Sequence, residues 1–236
     1  MVRGLGLMTL NSVLMAVFVG VLAVSSSANG QDKTTQAATI KLPPPRLTSS
    51  TSVEEAISKR RSVRQYKDSS LSLSELSQLL WAAQGVTDTA RGLRTAPSAG
   101  ALYPLEVYVV VGNVRGMAPG IYKYKCKTHE LETVSLGDAR KELAAAALGQ
   151  GAITQAAVDI VWTAVYERCA KKYQERAELY VPIEVGHSAE NVFLQATALN
   201  LGAVVMGAFY EDKVQAVLKS PKDERALYIM PIGKKP

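Results

Sequence analysis

Cysteine and histidine are almost missing from this chain: there are two of each in 236 residues. A metal centre of imidazole and thiolate needs three or four such ligands at short spacings. Cys126, His129, Cys169 and His187 do not stand at such spacings, so no metal site is expected. One cysteine pair is no disulfide framework either. Whether Cys126 and Cys169 meet stays open at this level. The chain also lacks a Gly-x-Gly-x-x-Gly turn after a strand and a phosphate-loop lysine, which sets aside a Rossmann or P-loop nucleotide site. There is no dense block of Lys and Arg and no basic stripe interleaved with aromatics. The formal charge of +6 therefore reads as a scattered basic surface, and no nucleic-acid partner is expected. A small anionic ligand would use only a few of these charges.

What remains is globular composition, 47% hydrophobic and 20% charged, on a length that suits one domain with a sizeable core. The first thirty residues stand apart. Arg3 precedes a charge-free apolar run from Leu5 to Val24, and the small residues Ser25 to Gly30 follow. This is the pattern of a signal peptide, with cleavage after Ala28 or Gly30, or of an uncleaved membrane anchor over 5–24. Export by general secretion, to a periplasmic or secreted location, is the expectation. Residues 31–50 are polar and then proline-rich (Pro43-Pro44-Pro45), as in a flexible linker or extended arm. The folded domain is expected over 51–236.

Within that domain, Ser52-Val53-Glu54-Glu55 and Ser72-Leu73-Ser74-Glu75 read as capping boxes that open two helices. The second helix carries Leu76, Leu79, Leu80 and Ala83 at helical spacing, with Gly85 at its C′ position. Leu105 to Val111 and Val158 to Val165 read as strands. Ile121 to Tyr124 pairs with Leu131 to Val134 as an exposed hairpin. Asp138 caps an alanine-rich helix, and a charged helix starts near Glu167. Pro182 sits in the first turn of a long helix ended by Gly202. Ala203 to Phe209 is strand-like, Asp212 to Leu218 a short helix, and Leu227 to Ile232 the last strand. Helices and strands mix without βαβ alternation, so the class is α+β with an antiparallel or mixed sheet flanked by helices.

Four stretches carry candidate chemistry. Arg60-Arg61-Ser62-Val63-Arg64 offers guanidinium forks and a hydroxyl that suit a phosphate. Taken alone it reads first as a solvated basic helix end. Pro97-Ser98-Ala99-Gly100-Ala101-Leu102-Tyr103-Pro104 is a small-residue loop that lets backbone approach a flat ligand. Met206 and Gly207 close a strand that could present a backbone N–H. Lys234, or Lys235, at the tail could complete a phosphate site.

Read together and in order, these stretches resemble the nitroreductase-like flavoprotein superfamily, in its SagB-type dehydrogenase branch. The resemblance runs from Val53 to Pro236. It is carried by Leu79 to Val86, Pro97 to Pro104, Glu184-Val185-Gly186-His187-Ser188-Ala189-Glu190-Asn191, Gly207-Ala208-Phe209 and Tyr228 to Gly233. It implies the nitroreductase-like fold and a homodimer with FMN at the interface. Arg60, Arg61, Ser62 and Arg64 match the phosphate, ribityl and pyrimidine contacts. Pro97, Ser98, Ala99 and Gly100 match the loop against the flavin, from the other subunit. Met206 and Gly207 match the stretch facing flavin N5, and Lys234 matches the phosphate lysine.

The resemblance further implies an FMN-dependent oxidoreductase that passes two electrons from a donor such as NAD(P)H to a small acceptor. Lys172 and Tyr173, in the helix before the Glu184–Asn191 motif, are candidate catalytic residues of that branch, or members of a solvated helix. His187 reads as a packed helix residue. Ala101 and Met206 depart from many nitroreductases, which carry Asn and an acidic residue there. Ala101 is normal for the SagB-like branch. Two alternatives stay open: an azoline dehydrogenase acting on a peptide, and a non-catalytic flavin-binding protein.

Overall fold

The structure, a computed structural model, describes residues 38–236. The signal or anchor segment, and with it the expected route of export, lies outside the described residues. Among the described residues no helix is long and apolar enough to cross a membrane.

The described chain opens with β1 (Thr39–Lys41), α1 (Val53–Lys59) and α2 (Leu73–Gln84). A small hairpin follows, β2 (Val86–Asp88) and β3 (Leu93–Arg94), then β4 (Leu105–Val111), β5 (Gly120–Lys125) and β6 (Glu130–Leu136). Next come α3 (Arg140–Ala146), α4 (Gly151–Gln155), β7 (Val158–Val165), α5 (Tyr166–Tyr173) and the long α6 (Ala177–Ala198). β8 (Leu201–Ala203), α7 (Glu211–Leu218) and β9 (Glu224–Lys234) close the chain. The main sheet has seven strands in the order β1-β6-β5-β4-β7-β9-β8, every neighbouring pair antiparallel.

β4 and β7 lie inside this sheet with both faces covered, which is why each reads as an unbroken apolar run rather than an alternation. On one face Val107 and Val109, with Ile160 and Trp162, pack against Leu76, Leu79 and Leu80 of α2 and Val185, Val192 and Phe193 of α6. On the other, Tyr108, Val110 and Val161 meet Leu143, Ile153, Val214 and Leu218 from α3, α4 and α7.

The second face of β7 also takes polar residues. Glu224 accepts from Tyr108 Oη at 2.9 Å, Thr163 Oγ1 at 2.8 Å and Lys123 Nζ at 2.6 Å. Asp159 is completely buried and neither carboxyl oxygen has a partner, so burial holds its pKa well above the usual carboxylate range.

Several sequence expectations change in detail. The 31–50 arm is not free along its described length. Thr39–Lys41 extends the sheet along β6, Leu42 is buried, and Arg46 exchanges bonds with Gln78. His129 holds this arm: its Nε2 contacts Pro43 O at 3.0 Å and Ser77 Oγ at 2.8 Å. Ser72–Glu75 forms the full capping box, whereas at Ser52 only the hydroxyl caps, because Glu55 turns to Lys59.

Gly85 ends α2 in extended rather than left-handed backbone, and Ala139, not Asp138, caps α3. Asp138 instead grips the Arg140 guanidinium. α6 begins well before Pro182 and ends at Ala198, with Leu199 as its cap, so Gly202 lies in β8. The last strand is longer than expected. The hairpin of β5 and β6 is not exposed on both faces, since Ile121, Tyr122, Tyr124 and Leu131 are buried.

One edge of the sheet matters for function. Val63 N–H donates to Ala203 O at 2.8 Å and Lys67 N–H to Lys234 O at 3.0 Å, so the segment after α1 is stitched along β8 and the end of β9. Tyr66 seals the seam, donating from its hydroxyl to Pro231 O at 3.0 Å. The approach needs Gly233: a Cβ there would stand 2.8 Å from Tyr66 Cβ. Gly233→Ala should therefore lower stability by about 1–3 kcal/mol, as overpacking does. The check is the urea midpoint at constant m-value; an unchanged midpoint would show that the seam is loose.

Candidate functional site

The basic end of the site is built where α1 stops. Arg60 turns out of the helix with ψ 125. Its guanidinium lies 5.2 Å above the Phe193 ring and 3.9 Å from Glu190, both on α6. Arg61 curls back onto the last α1 carbonyls, donating to Ser58 O and Arg60 O. Ser62 bridges Ala203, and the side chains of Ser62 and Arg64 are exposed.

Beside them lies a cavity of about 220 Å³ lined by Lys59, Arg61, Val63, Phe193, Thr197 and Lys235, among others. Lys234 points elsewhere: its ammonium bonds Glu75, the capping-box glutamate of α2. Burial works against the Glu75 charge, but Lys234 and Ser72 together hold its pKa below the usual value. The cation facing the cavity from the tail is thus Lys235.

The second group forms around the loop between β3 and β4. Ser98 Oγ accepts from Tyr103 N–H at 2.9 Å and donates to Glu184 Oε2 at 2.6 Å. Gly100 has φ +62, and a Cβ there would lie 2.9 Å from Tyr173 Oη and 3.1 Å from Lys172 Nζ. The structure thus sets Lys172 and Tyr173 of α5 directly against the Pro97–Gly100 loop. Tyr173 packs edge-on to Tyr180 at 5.1 Å. Pro97, Ser98, Ala99, Tyr180, Ile183, Glu184 and His187 line a cavity of about 270 Å³. His187 is exposed on α6 rather than packed, because the helix turns that face towards the cavity.

Sequence reasoning does not single out Glu184 as a site residue. It is 3% exposed, and its Oε1 has no partner. Burial pushes its pKa up to about 7, against the pull of the Ser98 hydroxyl and the Arg94 charge. The available signal is the helical period: Val181, Glu184, Val185, Ser188 and Val192 fall on one buried face of α6.

Met206 and Gly207 follow β8. Met206 N–H is already committed to Ile229 O at 2.8 Å. Gly207 is exposed, and among the described residues its N–H has no partner, so Gly207 is the free donor of the pair.

One chain therefore brings Lys59 and Arg61 to Lys235, and Pro97–Gly100 to Lys172, Tyr173 and Glu184, while Arg60 lies on Phe193 and Glu190 and Arg64 is exposed. The two groups hang from opposite halves of α6: nine residues from Glu184 to Phe193 span about 14 Å along the axis. Cys126 and Cys169 are both free thiols. Lys59, Arg61 and Lys235 around the cavity, with the exposed Ser62 hydroxyl on the same segment, fit a phosphorylated ligand. An exposed backbone donor and a small-residue loop fit a flat ring.

The family model described as "Nitroreductase family" matches residues 57–234. "Putative nitroreductase MJ1384" of Methanocaldococcus jannaschii is 47% identical over 183 residues, 78% of this chain and 91% of that protein. "Trifolitoxin-processing protein TfxB" of Rhizobium leguminosarum bv. trifolii is 29% identical over 63% of this chain, which spans only 43% of that protein. A solved "putative nitroreductase" from Ralstonia eutropha JMP134 superposes with a TM-score of 0.75 at 30% identity, over 86% of this chain and 91% of that one.

The buried carboxyl has a measurable consequence for stability. Folded Glu184 keeps its proton to about pH 7, whereas the unfolded side chain releases it near 4.5. The folded state binds more protons in between, so stability is full below the lower value and falls as pH rises through the higher. The gap amounts to about 3 kcal/mol at about 1.4 kcal/mol per pH unit. Glu184→Gln should lack this slope. Urea titrations of both proteins across that range check it; parallel pH profiles would exclude a buried neutral Glu184.

Proposed function

This chain belongs to the nitroreductase family, and from that premise we propose that it is an exported FMN-dependent oxidoreductase that works as a homodimer. It would take two electrons from a donor such as NAD(P)H and pass them to a small acceptor. The observation that supports this reading is the stitched edge: Ser62 and Val63 are bridged to Ala203 of β8, beside a cavity lined by Lys59, Arg61 and Lys235, with the exposed Gly207 following the same strand.

A homodimer accounts for the separation of the two groups. Within one chain they sit on opposite halves of α6. The basic end of one protomer would then face the Pro97–Gly100 loop of its partner. Apolar side chains left exposed on the relevant helices support such an interface: Val53 and Ile57 on α1, Leu179 and Ile183 on α6.

The roles of the chain's own residues follow from their chemistry. Arg60 and Ser62 would hold a dianionic phosphate and its ribityl chain, and Arg64 would lie near the pyrimidine end, where a cation favours the reduced ring. Stacking on Phe193 limits the freedom of Arg60 before any ligand arrives. Gly207 offers its N–H to a ring acceptor. Gly100 permits backbone to lie against a ring face. The flavin, when bound, would supply the hydride chemistry, so the protein needs no nucleophile of its own.

A second reading keeps the cofactor and changes the substrate to a peptide azoline. Lys172 and Tyr173 over Gly100 favour it, as a basic and phenolic pair beside the flavin loop. The similarity to a protein named for trifolitoxin processing points the same way.

Purified protein should be yellow. The double substitution Arg60→Ala and Arg64→Ala should weaken FMN binding about tenfold to a hundredfold for each charge-assisted hydrogen bond removed. Flavin fluorescence titration checks it; unchanged affinity sinks the assignment. Colourless protein that refuses added FMN would favour a non-flavin binding role. NAD(P)H oxidation with a quinone supports the first reading over the second, and azole formation on a peptide reverses that order.

A further inference from the structure

Glu184 stands out among the buried groups because it borders a space large enough for a ligand. The cavity under the loop holds about 270 Å³, with Pro97, Ala99, Tyr180 and Ile183 as apolar walls and Ser98 and Glu184 as the polar side. Ser98 donates its hydroxyl to Oε2, which leaves the acid proton on Oε1. Oε1 is the buried atom without a partner. A carboxyl held in place through one oxygen, with the other buried and unpaired behind the cavity wall, is built to keep a proton until a ligand enters beside it.

We propose that Glu184 is the proton donor of this site, acting on a flat carbonyl-type acceptor, a quinone by chemical class, bound in the cavity under Pro97–Ala99. The inference rests on the FMN reading above. The acceptor takes up a hydride equivalent whose source is reduced flavin, and one carbonyl oxygen becomes anionic. The Glu184 O–H bond breaks, its proton bonds to that oxygen, and the O–H electron pair stays on the carboxylate. Water then returns the proton. Quinone, hydride and proton sum to hydroquinone.

The surroundings set when this proton is available. Arg94 from β3 favours the charged carboxylate, and the Ser98 bond does the same, while burial outweighs both. Cys169 from α5 lies within reach of the Glu184 charge, and burial, with that charge, pushes its thiol pKa up. His187 and Tyr180 face the cavity from α6, and Lys172 and Tyr173 lie across Gly100. With Glu184 titrating at about 7, quinone reduction should slow as pH rises above that value.

The test uses the full chain with and without FMN. In flavin-free protein, infrared difference spectra should show a protonated-carboxyl band that titrates near pH 7 and is missing from Glu184→Gln. In flavin-loaded protein, Glu184→Gln should slow reoxidation by a quinone about a hundredfold, with a larger loss than for ferricyanide, which takes electrons without protons. Rates are expressed per bound flavin, and Glu184→Asp should recover part of the rate. If FMN binds and Glu184→Gln keeps both the quinone rate and its pH profile, the proposal fails alone. If FMN does not bind, the flavin reading fails and removes the proposal's reductant with it.

Discussion

The hydroxyl of Ser188 fixes the position of the helix on which both halves of the site depend. It is completely buried, donates to Ala83 O of α2 at 2.7 Å and accepts from Trp162 Nε1 of β7 at 2.8 Å. A helix held only by apolar packing can slide along its groove at low cost. A buried hydroxyl with two partners cannot, because any shift leaves a donor or a carbonyl unpaired in the core, at about 1–3 kcal/mol each. Glu184 lies one turn before this bolt, and Glu190 and Phe193 follow it on the same helix. The loop latch and the Arg60 platform are therefore placed by the same anchor. Gln78 adds a second tie, donating to Gln195 at 3.0 Å near the far end.

How the polar groups of the two sheet faces are treated shows where the fold tolerates charge. Glu224 is buried but fully engaged by Tyr108, Thr163 and Lys123, an arrangement that offsets its desolvation. Asp159 has no such company, and burial holds its pKa well above the usual range against the pull of Arg140. Glu184 lies between these extremes, with one oxygen satisfied and the other free. Of these three, only Glu184 is both partly satisfied and beside a cavity. That separates a group poised to exchange a proton from one that is merely structural.

Much of the scaffold was legible because burial imposes pattern. The strands Leu105–Val111 and Val158–Val165 keep their expected limits, since a strand covered on both faces has to be apolar throughout. The Ser72–Glu75 box was legible because capping needs those side chains at that spacing. β1 was not, as three residues in a polar arm become a strand only through β6, the burial of Leu42 and the bonds of His129. Gly85 and Asp138 show the limit of local rules: both stand at helix ends, yet neighbouring Trp81 and Arg140 decide their roles. In the basic motif the residue types were legible but their partners were not. Glu75 claims Lys234 from 159 positions away, and no spacing rule reports that.

The loop from Pro97 to Pro104 concentrates backbone strain. Gly100 has positive φ at little cost, but so do Ala101 at 55 and Tyr103 at 46, where a side chain costs about 1–2 kcal/mol. Such backbone persists only when its surroundings over-determine it. Here they do. Ser98 takes the Tyr103 N–H, the Tyr103 hydroxyl takes the Arg94 N–H, and the Arg94 guanidinium lies 4.4 Å over the Tyr103 ring. Arg168 reaches the Tyr103 carbonyl from α5. Asn191 of α6 binds Thr95 O at the loop's entrance. These partners come from several different elements, so relaxing the loop would require several contacts to break together. The small residues at its centre bring little side chain of their own, so Lys172 and Tyr173 of α5 can lie directly against Gly100.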